Sequence, residues 1–233
     1  MKIHTGVSHF PRYYKKIGDI CEMAEVESFI TTKPKKGTLV NWREVMGKKF
    51  RFVLPAPTAL TDPDWNKAGT GFWRDGAQGF KEGAERDFIT KTMFKSAGIL
   101  QCITFLFPTP VSFRPTEDNR QRIMDYFKPF VEKKQRVIWA PTGLWDMEKL
   151  LRDTAGTGIF IAQNPLDVNF IQDDEEFRYL RIENIASKNV TSEINMEKIL
   201  EACDGAKRVF AVFKTSNPLR DANAFNRFLS EEI

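Results

Sequence analysis

Histidine is nearly missing from this chain: two occur in 233 residues, His4 and His9, both among the first ten. A zinc hydrolase draws imidazoles from several elements, so that chemistry is disfavoured, and an isolated histidine is more often structural. A magnesium ion held by carboxylates alone would have to use Glu25, Glu27 and Glu183. No metal is assigned, and no cofactor is identified. Cysteine is scarce as well. Cys21, Cys102 and Cys203 form no Cys-x-x-Cys pair and sit among apolar neighbours, as buried reduced thiols do. There is no Gly-x-Ser-x-Gly elbow, and no cysteine has a histidine nearby in sequence to activate it. The glycines of "GTGFW" and "GTGIF" fail as a nucleotide motif, because the first falls in a loop and the second precedes its strand. No apolar run reaches the length of a signal peptide core or a membrane span, so the expectation is a cytoplasmic protein without membrane contact. Low-complexity tracts and short-period repeats are missing too.

What is present is ordinary in bulk and informative in pattern. Hydrophobic residues make up 42% and charged residues 28%, the balance of a globular chain with a sizeable core. The 35 basic residues exceed the 31 acidic ones slightly, which permits anionic partners without demanding them. They are spread along the chain. Only "KPKK" (Lys33 to Lys36) and "EKKQR" (Glu132 to Arg136) form knots, and such knots usually solvate loops and helix ends.

Short apolar runs alternate with helix-period segments, as in repeated strand–helix units. Strands are expected at "KIHTG", "ICEMAEVESFI", "FRFVLPAP", "ILQCITFLF", "RVIWA", "GIFIA", "FRYLRIEN" and "RVFAVFK". One helix fits "TLVNWREVM", with Leu39, Val40, Val45 and Met46 on its buried side and Gly47 ending it. Another starts at Thr116, with Ile123, Phe127, Phe130 and Val131 on one face. "DMEKLL", "MEKILEAC" and a closing helix through Ala224, Phe225, Phe228 and Leu229 supply the rest. Eight strands, most followed by a helix, predict a TIM-like (β/α)8 barrel, somewhat irregular, over residues 1–233 as a single domain. An open doubly wound sheet is the alternative. Residues 58–97 form a long excursion after the third strand, with helix near its end.

Several blocks resemble one family. "EVESFITTKP" after a strand, "FRFVLPAPTALT", "FLFPTPVSFRPT" and "FRYLRIEN" are similar in order and spacing to the YecE-like family, domain of unknown function 72, from Ile3 to about Leu229. The resemblance implies a TIM-like barrel and no particular reaction. It places Glu25 on the acidic position ending the second strand and Ser28 just after it. Ser112, Phe113 and Arg114 fall on the turn after strand four, and Arg181 on the arginine of strand seven. The chain departs from the pattern at Pro55, at Trp139, Pro141 and Thr142, at Glu183 in place of a histidine, and at Lys214 in place of an asparagine.

In such barrels the strands' carboxyl ends form the site. Thr5, Gln163, Asn164, Arg181, Asn184 and Lys214 would then be ligand contacts, with Glu25 and Glu183 as candidates for acid–base chemistry. Strand alternation sends Tyr179, Arg181 and Glu183 to one face, the barrel interior, and Leu180 and Ile182 to the other. The leading reading is a small anionic ligand, phosphorylated or sugar-like, clamped by Arg181 and Lys214. The competing structural reading is an ion-pair plug of Arg181 with Glu25. A separate alternative uses the excursion: Trp65, Phe72, Trp73 and Phe80, interleaved with Lys67, Arg74 and Lys81, suit a non-catalytic surface for nucleic acid or a protein. Against it stands the tendency of large aromatics to pack cores.

Overall fold

The structure of the protein is a computed structural model that describes residues 1–10, 14–65, 73, 76–172, 176–183 and 190–232. Among these, eight parallel strands close a barrel in sequence order, which excludes the open sheet. The strands are β1 (Lys2–Val7), β2 (Met23–Glu25), β3 (Arg51–Pro55) and β4 (Thr104–Thr109), then β5 (Arg136–Pro141), β6 (Ile159–Gln163), β7 (Phe177–Glu183) and β8 (Arg208–Lys214). Around them lie α1 (Tyr14–Ile20), α2 (Lys36–Met46), α3 (Thr58–Thr61) and α4 (Ala84–Leu100). The second half adds α5 (Glu117–Glu132), α6 (Met147–Thr154), α7 (Glu193–Glu201) and α8 (Pro218–Glu232).

Alternation along the strands divides the core into two layers. Met23, Val53, Leu106, Ile138, Tyr179, Phe210 and Val212 fill the barrel. Val7, Phe52, Leu54, Phe105, Val137, Leu180 and Ile182 face the helices instead. At Gly6 the inner layer leaves no room: a Cβ there would lie 2.9 Å from the carbonyl oxygen of Met23, its register partner. The outer layer is aromatic where α4 and α5 cover β4. Phe80 has ring neighbours at Phe113 (5.5 Å) and Tyr126 (5.1 Å), and Phe107 packs on Phe127 at 4.7 Å.

Sequence signals explain some of the boundaries. The Thr116 hydroxyl accepts a hydrogen bond from the Asn119 amide, 3.2 Å away, and so caps α5. Gly47 ends α2 with φ 72° and an extended ψ, a conformation open to glycine alone.

Three expectations need correction. Strand β2 is only Met23–Glu25, and Glu27–Ile30 turns into a 3-10 helix, so "ICEMAEVESFI" is mostly not strand. Helix α2 buries Leu39 and Trp42 while Val40 and Val45 stand exposed, because three-residue spacing puts the tryptophan on the inner face. The apolar run "ILQCITFLF" is split: Ile99 and Leu100 end α4, Ile103 is exposed, and β4 begins at Thr104.

The described part of the 58–97 excursion packs onto the barrel. Trp73 is buried, its indole N–H donating to the Phe29 carbonyl at 3.1 Å, and Phe80 is fully enclosed. Trp65 packs partly buried against the same core. Neither Trp73 nor Phe80 presents a face for stacking a base, which corrects that use of them; Phe72 and Arg74 lie outside the described residues. Among the described residues, no helix is long and apolar enough to cross a membrane.

Candidate functional site

At the carboxyl ends of the strands, five polar side chains form one ladder. Glu25 ends β2 and is almost completely enclosed. The Tyr179 hydroxyl donates to its Oε1 at 2.8 Å. Arg181 grips it with two nitrogens, Nε to Oε1 at 3.2 Å and Nη2 to Oε2 at 3.1 Å. The third guanidinium nitrogen, Nη1, lies 3.4 Å from Glu183 Oε1, which also accepts from Lys214 Nζ at 3.1 Å. Glu183 and Lys214 are register partners on β7 and β8, so the sheet sets this last contact. The alternation within "FRYLRIE" thus holds: Tyr179, Arg181 and Glu183 turn inward. On the outer face, Arg178 donates to the carbonyls of Ala202 and Asp204 just past α7.

The ladder changes character as it climbs. Burial, reinforced by the Glu25 carboxylate, pushes the Tyr179 phenol well above its ordinary pKa, so it stays a donor. Burial alone would lower Arg181, but Glu25 and Glu183 outweigh it and hold the guanidinium more firmly charged than usual. The Arg181 and Glu25 side chains are 12% and 2% exposed, whereas Glu183 and Lys214 are 41% and 36% exposed. The lower pair is therefore a buried plug, and the upper pair faces solvent.

Above the plug opens a cleft of about 1300 Å³. Its walls include Thr109, Thr142, Trp145 and Asp146, together with the loop that follows β6. Trp145 is fixed by donating its indole N–H to the Phe113 carbonyl at 3.2 Å, and Asp146 caps α6 by accepting from the Lys149 amide. Ser112, in the turn resembling the family's, donates to Asp62 at 2.8 Å and ties that wall to the segment after α3. Leu144 and Val168 stand almost fully exposed at the lip.

Of the remaining expected contacts, Thr5 is misplaced. Its register partner Ala211 belongs to the outer layer, so Thr5 is buried toward the helices and reaches no cleft. Gln163 and Asn164 do line the cleft, but their amides hold backbone. Gln163 exchanges two hydrogen bonds with Ile171, both 3.1 Å, and Asn164 donates to the Glu183 carbonyl at 3.2 Å. Asn184 lies outside the described residues. Trp145 and Asp146 carry little signal as site residues in the sequence, although an Asp directly before an amphipathic helical run is a capping signal. Among the described residues, no group of three or more His, Cys, Asp or Glu side chains could hold a metal ion.

His4 sits inside the barrel below this ladder, edge-on to Phe210 at 5.5 Å. Its Nδ1 bonds the Glu22 carboxylate, and its buried Nε2 has no partner among the described residues. Burial lowers its pKa below 6.5, Arg51 and Lys2 act the same way, and Glu22 opposes them. The unfolded chain therefore takes up this proton first, so stability present above pH 6.5 declines as pH falls below it. Urea unfolding on both sides of that pH should show a steeper acid loss for the wild type than for His4→Phe. Equal losses would contradict the assignment.

The sequence matches no family model and no curated protein. Solved structures do resemble it. A DUF72 family protein from Enterococcus faecalis V583 superposes with TM-score 0.72 at 14% identity, over 98% of each chain. A DUF72 family protein from Thermotoga maritima MSB8 gives 0.65 at 14% identity, over 99% of this chain and 100% of that one. An AP endonuclease, family 2, from Brucella melitensis gives 0.58 at 9% identity, over 98% of each. The barrel implied by the sequence resemblance is the fold these proteins share, and at such identities the likeness extends to fold alone.

Proposed function

We propose that the protein binds a small polyhydroxylated, sugar-like ligand in the cleft at the carboxyl ends of its strands. The observation that carries this reading is the charge of the lining. Among the described residues, Glu27, Asp146, Glu148, Asp167 and Glu183 face the cleft against two cations, Arg181 and Lys214, both already paired with carboxylates. A phosphorylated ligand would meet net repulsion there, whereas hydroxyl groups can donate to the carboxylates and accept from Lys214 and Arg181. Trp145 and Phe170 in the wall supply apolar surface for a ring or carbon chain. Of these carboxylates, Glu183 is the one that touches both cations, and it is the candidate for proton transfer. Glu25 is a positioning residue that orients Arg181 from below.

Calorimetric titration with D-glucose, D-xylose, xylitol and the matching sugar phosphates tests this. The neutral compounds should bind more tightly than their phosphates. Glu183→Gln should weaken them about tenfold, about 1.4 kcal/mol, while stability changes by less than about 1 kcal/mol because the pair is half-exposed and screened by solvent. Tighter binding of phosphates that depends on Glu183, or neutral binding indifferent to Glu183→Gln, would overturn the reading.

A further inference from the structure

The opposite end of the barrel carries a second cavity, of about 600 Å³, whose charge is reversed. Among the described residues, Lys2, Lys48, Lys49, Arg51, Arg136 and Arg208 line it against a single carboxylate, Glu22. Lys2, Arg51, Arg136 and Arg208 are the first residues of β1, β3, β5 and β8. Register confirms that they share one end: Lys2 pairs with Arg208, and Arg136 with Thr104, which also lines the cavity.

Arg136 forms the inner wall. Its guanidinium lies 4.3 Å from the Phe177 ring centre and 5.3 Å from that of Phe210, and Nη1 donates to the Thr104 hydroxyl at 3.2 Å. Burial pulls its pKa down to about 10, and the Arg208 and Arg51 guanidiniums pull the same way, so three like charges crowd one mouth. Glu22 is already engaged by His4 and, at 3.4 Å, by Arg51. Among the described residues, no carboxylate pairs with Arg136 or Arg208. Cations near the foot of a barrel can merely offset the negative ends of helices. That accounts for Lys48 and Lys49, which follow α2, but not for arginines on the strands themselves. Arg136 is partly buried without a counter-charge, beside the like charges of Arg51 and Arg208; that arrangement is costly, and an anion removes the cost.

We propose that the amino-terminal mouth of the barrel binds a small polyanion carrying two or more phosphate-type groups, with Arg51, Arg136 and Arg208 as the principal donors. Guanidinium forks suit phosphate oxygens bidentately, and several of them spaced around one cavity favour a ligand with more than one such group. The exposed lysines at the rim draw anions in from solution. This site is separate from the carboxyl-end cleft and does not rest on the sugar-like reading of it.

The test is calorimetric titration of the full chain with inorganic pyrophosphate, tripolyphosphate and orthophosphate. The two condensed phosphates should bind more tightly than orthophosphate. Arg208→Glu should weaken them more than tenfold. Arg208 is exposed, so this variant should keep the wild-type unfolding midpoint, and Lys49→Glu at the rim gives an independent second reading. Glu183→Gln, at the other end, should leave the affinity unchanged. The proposal is overturned by affinities indifferent to both charge reversals, by loss in Glu183→Gln, or by equal affinity for all three phosphates. It is equally overturned if a single-stranded oligonucleotide binds through these residues and pyrophosphate does not displace it.

Discussion

Arg181→Met is expected to lower the unfolding free energy by about 3–5 kcal/mol, because it leaves the Glu25 carboxylate enclosed without its counter-charge. Glu25 keeps only the Tyr179 hydroxyl in that variant, a single neutral donor at 2.8 Å where two charged contacts stood. The double variant Glu25→Leu, Arg181→Met should recover most of the loss, since burial of two apolar side chains replaces burial of two charges. Urea denaturation of the single and double variants gives both numbers. A loss below about 1 kcal/mol in the single variant would mean that the pair behaves as a surface contact. The contrast with Glu183 is the functional point. The lower rungs hold the barrel top together, and the upper rung is the part that the proposed ligand would meet.

Phe80→Ala should cost about as much, 3–5 kcal/mol, by opening a cavity among tightly packed rings. The side chain is fully enclosed, with Phe107, Phe113, Tyr126 and Phe127 all within ring-contact distance. Phe80 also holds a left-handed backbone, φ 66°, next to Gly79 at φ 72°. That conformation is uncommon for an aromatic residue and is kept by the packing around it. Trp73→Ala should be destabilising for the same reason. Both variants lower the thermal midpoint if the 58–97 excursion is part of the core. A variant of full stability would return these aromatics to a surface role.

The barrel was legible in the sequence because its evidence is periodic: apolar runs, helix faces and turn residues recur along the chain. The Arg181–Glu25 plug was legible from alternation in one strand and an acidic residue ending another. What could not be read was phase. In a parallel barrel both strand faces are buried, so polarity does not reveal that Thr5 points outward while His4 points inward. Gln163 and Asn164 looked like ligand contacts because loop backbone has no sequence signature as a hydrogen-bond partner. The basic mouth was hidden by distance along the chain. Lys2, Arg51, Arg136 and Arg208 are far apart in sequence, and only strand register brings them to one end. Their shared signal is modest yet visible in hindsight: "KIHTG", "RFVLP", "RVIWA" and "RVFAV" each open on a cation. Trp42 displaced the valines from the inner face of α2 for a similar reason, since a helix segment rich in apolar residues admits more than one phase.

The most direct test of the account is amide shift mapping while the protein is titrated with whichever neutral sugar binds it most tightly. The predicted result is saturable shifts gathered around Asn164, Glu183, Lys214 and the Trp145 indole, at the carboxyl ends of the strands. Shifts gathered instead at Lys2, Arg136 and Arg208, or no saturable shifts with any of the neutral compounds, would contradict it.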